Sequence, residues 1–382
     1  TCALPIFLIS FPYRKEYTML KKFEVAGFKN FKDKLTIDFS DVHDYQFNPE
    51  CVKNGLLSKL IIYGRNSVGK SNLGLAIFDI VCHLTDKNVT PGLYDYYLNS
   101  DSCQSAKFRY EFQFENDHIE YMYSKDRDRN LLDERIFIND DLLFQYNYSS
   151  HAGDFSGLRA LNPTLILDFE NIDSLLRYVI NNTSVSESHP LRKMFRYVSS
   201  MLWFRNLDEN RYIGYTSNTK NYLNFIFEGN NLNKFNKLLL DIGVEDELIG
   251  KEDNDGTTRL YWNKPTLLPF FKTASSGTKA LYTFYYWYKT AKDVSLMFID
   301  EFDAYYHYEL SECIVKILEK MPNTQVILTS HNTNLLSNKI MRPDCYFILT
   351  HSGITSLVNA TNRELREGHN LEKLYMSGEF DE

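Results

Sequence analysis

Residues 64–71 of the chain, Gly-Arg-Asn-Ser-Val-Gly-Lys-Ser, have the residue types and the spacing of a phosphate-binding loop. Glycine lets the backbone wrap closely around phosphate groups, and backbone N–H groups provide positive potential there. Lys70 would reach the outer phosphates, and the Ser71 hydroxyl would hold Mg²⁺. The residues predicted to bind a nucleotide in this segment are Gly64, Arg65, Asn66, Ser67, Val68, Gly69, Lys70, Ser71 and Asn72.

The segments on either side of this loop support the same prediction. Residues 57–63 form an apolar run with Leu60, Ile61 and Ile62 at its centre, which is typical of a buried parallel strand. Apolar residues recur at helical spacing behind the loop, from Leu73 to Leu84. A phosphate-binding loop needs this context, because the strand and the N-terminus of the helix position the loop around the phosphates.

A second apolar strand, predicted over residues 295–299, ends in the two carboxylates Asp300 and Glu301. An aspartate at the end of a strand beside the loop can hold the shell of Mg²⁺ together with Ser71. A neighbouring carboxylate can polarise water toward the γ-phosphate, so Glu301 is the candidate general base.

Two further segments are candidates for contact with phosphate. Residues 325–330 predict another buried strand, and His331 directly after it could contact the γ-phosphate or the attacking water. Ser275, Ser276 and Gly277 precede an apolar and aromatic helix and could form a second anion-binding helix N-terminus. A serine that only caps the helix would leave the same signature.

The remaining pattern predicts an α/β protein of four segments. Met19 looks like the natural first residue of the protein, so residues 1–18 before it look like a non-native or disordered leader. Residues 19–150 would hold the first half of the nucleotide-binding fold and an antiparallel meander of alternating strands between residues 107 and 146. Residues 151–265 would be a helical insertion, including a helix over 190–202, and 266–382 would complete the fold.

Composition sets limits on location and partners. The chain is 43% apolar, which indicates a folded protein. Its net charge of −8 gives no overall positive surface for nucleic acid, although a local DNA-binding surface stays open. We find no membrane-spanning candidate and no metal-ligand spacing among the six cysteines, so we expect reduced thiols and a cytoplasmic protein.

The order of these motifs closely resembles that of ABC-type ATPases of the SMC, RecF and overcoming-lysogenization-defect group. The resemblance rests on residues 64–71, Ser275-Ser276-Gly277, Phe298 to Glu301, Ser330-His331 and the opening Phe28-Lys29-Asn30-Phe31. It implies an ABC-type P-loop head that binds ATP and Mg²⁺ and dimerises, or forms a higher oligomer, through its heads.

The resemblance also implies roles for individual residues. Ser275 and Gly277 would act as a signature motif on the ATP of another protomer, His331 as a switch histidine, and residues 302–304 as a dimer-facing loop. The glutamine loop of the group has no preferred counterpart here, since Gln104, Gln113 and Gln145 compete for it.

The size of the chain and its ending are most similar to the short ATPases of bacterial phage-defence pairs, of the RloA, AbiL, PARIS and Septu types. That likeness implies an effector partner, often a Toprim-like or HNH nuclease. The group's nucleases append a Toprim domain, whereas 51 residues follow His331, so we expect no nuclease activity from this chain. The alternatives are a RecF-like, ATP-gated DNA clamp and a nuclease acting by itself.

Overall fold

The structure is a computed structural model, and it describes residues 18–101, 103–166, 172–205, 211–215, 219–291 and 293–380. The predicted leader lies outside the described residues except for its last position. Within the described ranges, no helix has the length and apolarity needed to cross a bilayer. Cys51, Cys82, Cys103 and Cys345 are free, whereas Cys313 is disulfide-bonded, so the expectation of reduced thiols is wrong for that residue.

Strands make up two main sheets and smaller ones. The strands of the described residues are β1 (Thr18–Ala26), β2 (Leu35–Asp38), β3 (Val52–Lys53), β4 (Leu56–Leu57), β5 (Lys59–Tyr63), β6 (Asn88–Val89), β7 (Ala106–Phe114), β8 (His118–Lys125), β9 (Leu131–Ile138), β10 (Asp141–Asn147), β11 (Ala152–Asp154), β12 (Leu202–Arg205), β13 (Tyr212–Gly214), β14 (Leu248–Glu252), β15 (Thr258–Trp262), β16 (Leu268–Pro269), β17 (Leu296–Asp300), β18 (Gln325–Thr329), β19 (Tyr346–Leu349) and β20 (Ile354–Ser356).

Helices cover the sheets and connect their strands. They are α1 (Lys70–Leu84), α2 (Ser156–Leu161), α3 (Leu175–Asn182), α4 (Pro190–Ser199), α5 (Thr219–Asn224), α6 (Asn231–Asp241), α7 (Phe270–Thr273), α8 (Ser276–Thr290), α9 (Tyr308–Glu319) and α10 (Leu371–Met376). Short 3-10 turns occur at Pro49–Cys51, Phe225–Phe227, Thr333–Leu335 and Pro343–Cys345.

The first main sheet is antiparallel and confirms the predicted meander. Its seven strands within the described ranges follow the order β11-β10-β9-β8-β7-β1-β2. Buried and accessible residues alternate along β7, as in a strand with one face on the core. The two N-terminal strands join this same sheet, with β1 paired to β7.

The second main sheet contains the parallel strands of the nucleotide-binding fold. Its order is β20-β19-β5-β18-β17-β12-β13-β6, and β19, β5, β18, β17 and β12 run parallel. All five residues of β5, β17 and β18 are buried, as expected for strands that are covered on both faces.

Helix α1 lies between these two sheets. A side chain at Gly74 would meet Trp203 Nε1 at 2.6 Å and Phe298 at 2.7 Å, so this helix approaches the parallel sheet very closely. On the other side, the Tyr110 hydroxyl of β7 donates to the carbonyl of Ala76 (2.9 Å). The phosphate-binding loop is therefore attached to a helix that contacts both halves of the molecule.

Segment 151–265 differs from the predicted helical insertion. Helices α2 to α6 lie within it, but helix α4 ends at Ser199, and β12 then enters the parallel sheet beside β17. Strands β14, β15 and β16 form a separate antiparallel sheet. A short apolar run such as 202–204 fits either a buried strand or the end of a helix, and only pairing decides between them. The proposed domain boundaries stay a prediction.

Candidate nucleotide site

Four neighbouring parallel strands bring the loop, the carboxylate pair and His331 to one edge of the sheet. Strand β5 leads into the phosphate-binding loop, and its neighbour β18 leads into Ser330 and His331. The next strand, β17, ends at Asp300 directly before Glu301, and β12 beside it ends at Arg205. Arg205 is directly opposite Asp300 in the register of the β12–β17 pair. The carboxyl edge of an open α/β sheet is where such folds bind ligands.

The loop of residues 64–69 passes close to neighbouring backbone before helix α1 begins. A Cβ at Gly64 would lie 2.6 Å from the Leu349 carbonyl oxygen, so a larger residue does not fit there. Gly69 has a φ of +106° and precedes the helix without a capping side chain. The N-terminal N–H groups of α1 thus have no side-chain cap and suit an anion.

Lys70, the first residue of α1, is held inside the loop. Its Nζ donates to the carbonyls of Gly64 (2.8 Å) and Arg65 (3.1 Å), and 6% of the residue is exposed. Burial lowers the pKa of Lys70, while Glu301 and Asp300 act in the opposite direction. Both carboxylates thus act electrostatically on the ammonium group, although Lys70 lies about 230 positions before them in the sequence.

The N-terminal element of residues 28–31 supports the loop from outside. The Asn30 side chain donates to the carbonyl of Ser67 (3.1 Å) and accepts from Asn72. Ser67 has a φ of +66°, an uncommon conformation for a residue with a side chain. Asn30 thus connects the antiparallel sheet to the strained part of the loop.

Asp300 is fully buried and has one oxygen that suits a cation. Its Oδ1 accepts from Thr329 Oγ1 (2.8 Å), whereas Oδ2 lies 3.5 Å from Arg205 Nε and forms no hydrogen bond within the described residues. Burial raises the pKa of Asp300, and hydrogen bonding by the Ser71 hydroxyl counteracts this. A carboxylate beside a hydroxyl fits the oxygen ligands of Mg²⁺.

Glu301 has an unusual backbone conformation at the end of the strand. Its φ is +49°, and its N–H donates to Thr329 Oγ1 (2.7 Å). Its Oε1 accepts from Arg205 Nη2 (3.2 Å), and 23% of the side chain is exposed. Strained backbone of this kind is concentrated at functional sites. The carboxylate is accessible to water while its neighbour Asp300 is not.

His331 is exposed at the end of β18, between the loop and the carboxylates. Although His331 borders solvent, partial burial of its ring and the positive charge of Lys70 lower its pKa, and Glu301 opposes this shift. A neutral imidazole therefore predominates at neutral pH. In that form one ring nitrogen can donate a hydrogen bond and the other can accept one.

The loop after Glu301, which the resemblance would make a dimer-facing segment, is partly buried within the chain. Phe302 and Asp303 are buried, and Ser330 Oγ donates to Asp303 Oδ2 (2.6 Å). Burial raises the pKa of Asp303 to about 6. Ala304 and Tyr305 are the exposed part of this loop.

Arg205 is the site residue that sequence reasoning missed. It follows an apolar run that resembles the end of a helix, and no spacing in the sequence relates it to Asp300. Only the parallel pairing of β12 with β17 places it at the site. An arginine at the end of an apolar run is a weak signal by itself.

Ser275, Ser276 and Gly277 lie at the start of helix α8. Ser275 Oγ accepts from the N–H of Thr278 (3.1 Å), so the capping role is present. Ser275 and Gly277 also line a cavity of about 530 Å³, together with residues 241–244 and residues between 305 and 313. No lining residue of this cavity belongs to the loop around Lys70.

Other candidates lie elsewhere. Gln113 and Gln145 are on β7 and β10 of the antiparallel sheet, and the glutamine-loop role stays unassigned. Helix α4 carries three basic residues, Arg192, Lys193 and Arg196. Two of them, Arg192 and Arg196, each pair with Glu187. That pairing favours a solvated surface over a DNA-binding one at helix α4.

Residues 60–337 match the protein family described as "AAA domain, putative AbiEii toxin, Type IV TA system". The chain belongs to this family. The match covers the phosphate-binding loop, both carboxylates, residues 275–277 and His331, and it establishes the chain as a nucleotide-binding ATPase of the AAA class. The predicted α/β fold with its antiparallel meander is confirmed. No curated protein matches the sequence.

Several solved structures are similar over nearly the whole chain. An SMC head bound to the C-terminal winged-helix domain of ScpA shares 14% identity, covers 90% of this chain and 99% of its own, and has a TM-score of 0.45. The SMC head domain from Thermotoga maritima shares 14% identity over 88% and 98%, with a TM-score of 0.41. The RecF–ATP structure shares 13% identity over 90% and 100%, also with a TM-score of 0.41.

Proposed function

We propose that the protein is an ATP-dependent molecular switch, which dimerises around ATP, hydrolyses it, and transmits the state of the dimer to a separate effector protein. One observation carries this proposal: Lys70, Asp300, Glu301 and His331 meet at adjacent strand ends, around the uncapped N-terminus of α1. These are the groups that phosphoryl transfer to water requires.

Each of these residues has a role that follows from its contacts. Lys70 Nζ exchanges the carbonyls of Gly64 and Arg65 for the outer phosphates, because an ammonium group is attracted more strongly to a charged phosphate oxygen than to a neutral carbonyl. Ser71 and Asp300 would hold Mg²⁺, which neutralises phosphate charge when bound. Glu301 accepts a proton from the attacking water, and His331 hydrogen-bonds to that water or to the γ-phosphate.

The signature segment supports a site shared between two chains. Ser275 and Ser276 are exposed at the N-terminus of α8, so another molecule can reach them. In the proposed dimer, the N–H groups at this helix start contact the γ-phosphate held by Lys70 of the other chain. ATP then stabilises the closed dimer, because it makes these contacts only in that state.

The proposed effector is a nuclease of the Toprim-like or HNH class in bacterial anti-phage defence. The family description names a putative toxin of a type IV toxin–antitoxin system. That description supports a role for this chain in a pair of proteins that act together. In this proposal the chain is the regulatory ATPase, and the effector is encoded by a neighbouring gene. The paired basic face of α4 gives no support to the alternative of a DNA clamp.

Glu301→Gln is the variant that tests the switch. An amide keeps the shape of the side chain but cannot take a proton, so hydrolysis should fall about 100-fold or more while ATP still binds. The variant should accumulate as a closed dimer with ATP and Mg²⁺, which light scattering would detect as a doubled mass. Glu367→Gln, an exposed glutamate outside the site, is the matched control and should behave as the parent protein.

Co-expression with the product of the neighbouring gene tests the effector part of the proposal. If the ATP-bound form releases the effector, Glu301→Gln should be toxic with the partner and harmless alone. Parental hydrolysis by this variant, or a mass that never changes with nucleotide, would refute the switch. Strong stimulation of ATP hydrolysis by plain duplex DNA, without any effect on a partner, would instead favour the DNA clamp.

A further inference from the structure

We propose that Arg205 couples metal binding to nucleotide binding: its guanidinium occupies the carboxylate pair in the absence of nucleotide and transfers to the phosphates when ATP binds. This inference rests on the proposed nucleotide site and extends it by a residue that the sequence did not indicate. The experiment below separates a failure of the Arg205 role from a failure of the site itself.

The guanidinium contacts both carboxylates at once. Arg205 Nη2 lies 3.2 Å from Glu301 Oε1, and Arg205 Nε lies 3.5 Å from Asp300 Oδ2. The residue is fixed there by the backbone, because β12 pairs in parallel with β17 and places Arg205 opposite Asp300. Its side chain is 29% exposed and borders solvent, so the guanidinium can rotate toward a ligand while the backbone of Arg205 stays in place.

The contact uses the oxygen of Asp300 that a metal ion would need. Oδ1 is already occupied by the hydroxyl of Thr329, so Oδ2 is the oxygen available to a cation, and Oδ2 is the one that faces Arg205. Two cations near one buried carboxylate repel each other strongly, because the effective dielectric constant there is lower than in water. Arg205 therefore weakens binding of Mg²⁺ to the site when no nucleotide is present.

ATP reverses this effect. Its triphosphate brings several negative charges beside Lys70, and arginine binds phosphate oxygens in a bidentate manner. When the guanidinium transfers from Asp300 to the phosphates, Oδ2 becomes available to the metal ion, and Glu301 loses the hydrogen bond on Oε1. Metal binding and activation of the general base are thus delayed until ATP is in place.

The test measures Mn²⁺ binding by electron paramagnetic resonance, with purified full-length protein and no nucleotide. Arg205→Gln should bind Mn²⁺ about tenfold or more tightly than the parent, because the competing charge is gone. Arg205→Lys keeps the charge and should stay within about twofold of the parent. Arg192→Gln, on the surface of α4, is the control for loss of an arginine elsewhere. Addition of ATP should raise the Mn²⁺ affinity of the parent far more than that of Arg205→Gln.

Asp300→Asn distinguishes the two levels of the inference. If this variant loses Mn²⁺ while Arg205→Gln binds it with parental affinity, the metal site stands and the coupling role of Arg205 is refuted. If Asp300→Asn binds Mn²⁺ as the parent does, the proposed metal site fails and the coupling fails with it. Should Arg205→Gln be poorly folded, the Arg205→Gln/Glu301→Gln double variant, which removes one charge of each sign, should still bind Mn²⁺ more tightly than Glu301→Gln alone.

Discussion

A buried ion pair connects the helix of the phosphate-binding loop to the antiparallel sheet, and Lys125→Met should destabilise the protein by removing one partner of it. Lys125 Nζ lies 2.5 Å from Asp79 Oδ1, and their side chains are 2% and 1% exposed. Asp79 is on α1 and Lys125 is at the end of β8. The Asp79 carboxylate also accepts from the hydroxyls of Tyr97 (2.8 Å) and Tyr123 (2.9 Å).

The expected magnitude follows from these contacts. Methionine fills almost the same volume as lysine, so the cavity cost is small. What remains is a carboxylate buried with two neutral donors and no cation, for which we expect a loss of about 3–5 kcal/mol in the free energy of unfolding. Asp79→Asn should cost about as much, because it leaves the ammonium group of Lys125 buried without its counter-charge.

A double-mutant cycle in urea, followed by circular dichroism and by fluorescence, provides the assay. The Asp79→Asn/Lys125→Met protein has no unpaired charge and should be more stable than the sum of the single effects by about 2 kcal/mol or more. Lys251→Met, on an exposed position of β14, is the control for loss of a lysine. Less than about 1 kcal/mol of destabilisation by Lys125→Met, or additive single effects, would refute the view that this pair is a desolvated, mutually dependent unit.

Three further results are expected. Lys70→Ala should abolish ATP binding in calorimetry, because it removes the cation held inside the loop; unchanged affinity would refute the assignment of the site. Ser275→Arg should bind ATP but not hydrolyse it, and mixing it with Lys70→Ala chains should restore one working site per heterodimer; no recovery despite confirmed subunit exchange would argue against the shared site. Burial raises the pKa of Glu319 to about 8, above its usual value near 4.5. The native state therefore stays protonated at Glu319 up to a higher pH than the unfolded state does, so the free energy of unfolding should fall as the pH rises from about 5 to 8. Glu319→Gln should remove a large part of that slope and stabilise the protein by about 2 kcal/mol or more at pH 8 and above, with little effect near pH 4; an unchanged slope in urea titrations would show that Glu319 is ionised in the native state.

The elements around the loop could be predicted because their signals are local. The apolar run that forms β5 and the helical spacing of apolar residues in α1 each lie within a short stretch of sequence. The antiparallel meander was predictable for the same reason, since residues alternate along each strand and polar turns separate the strands. Glu301 and His331 could be named because each lies just after the end of a strand that the sequence predicts.

In segment 151–265, local sequence patterns do not predict the secondary structure correctly. Residues 202–204 are apolar and short, and their identity as a strand depends on pairing with β17, which is about 90 positions further along the chain. Arg205 reaches the site only through that pairing. Asp303 likewise looks like a surface residue in sequence, yet a hydrogen bond from Ser330 holds it inside the protein.

Local sequence features are enough to predict the chemical groups of the candidate site: a loop for phosphate, a lysine within it, two carboxylates and a histidine at strand ends. These are local features, because each depends on residue types within one element and on the period of its apolar positions. The tertiary structure alone decided how the strands are ordered, and hence that Arg205 lies between Asp300 and Glu301, that Asp79 pairs with Lys125, and that Asp303 is buried. Strand order and the pairing of charges across elements depend on contacts between residues far apart in the chain, and no local pattern of residues encodes them.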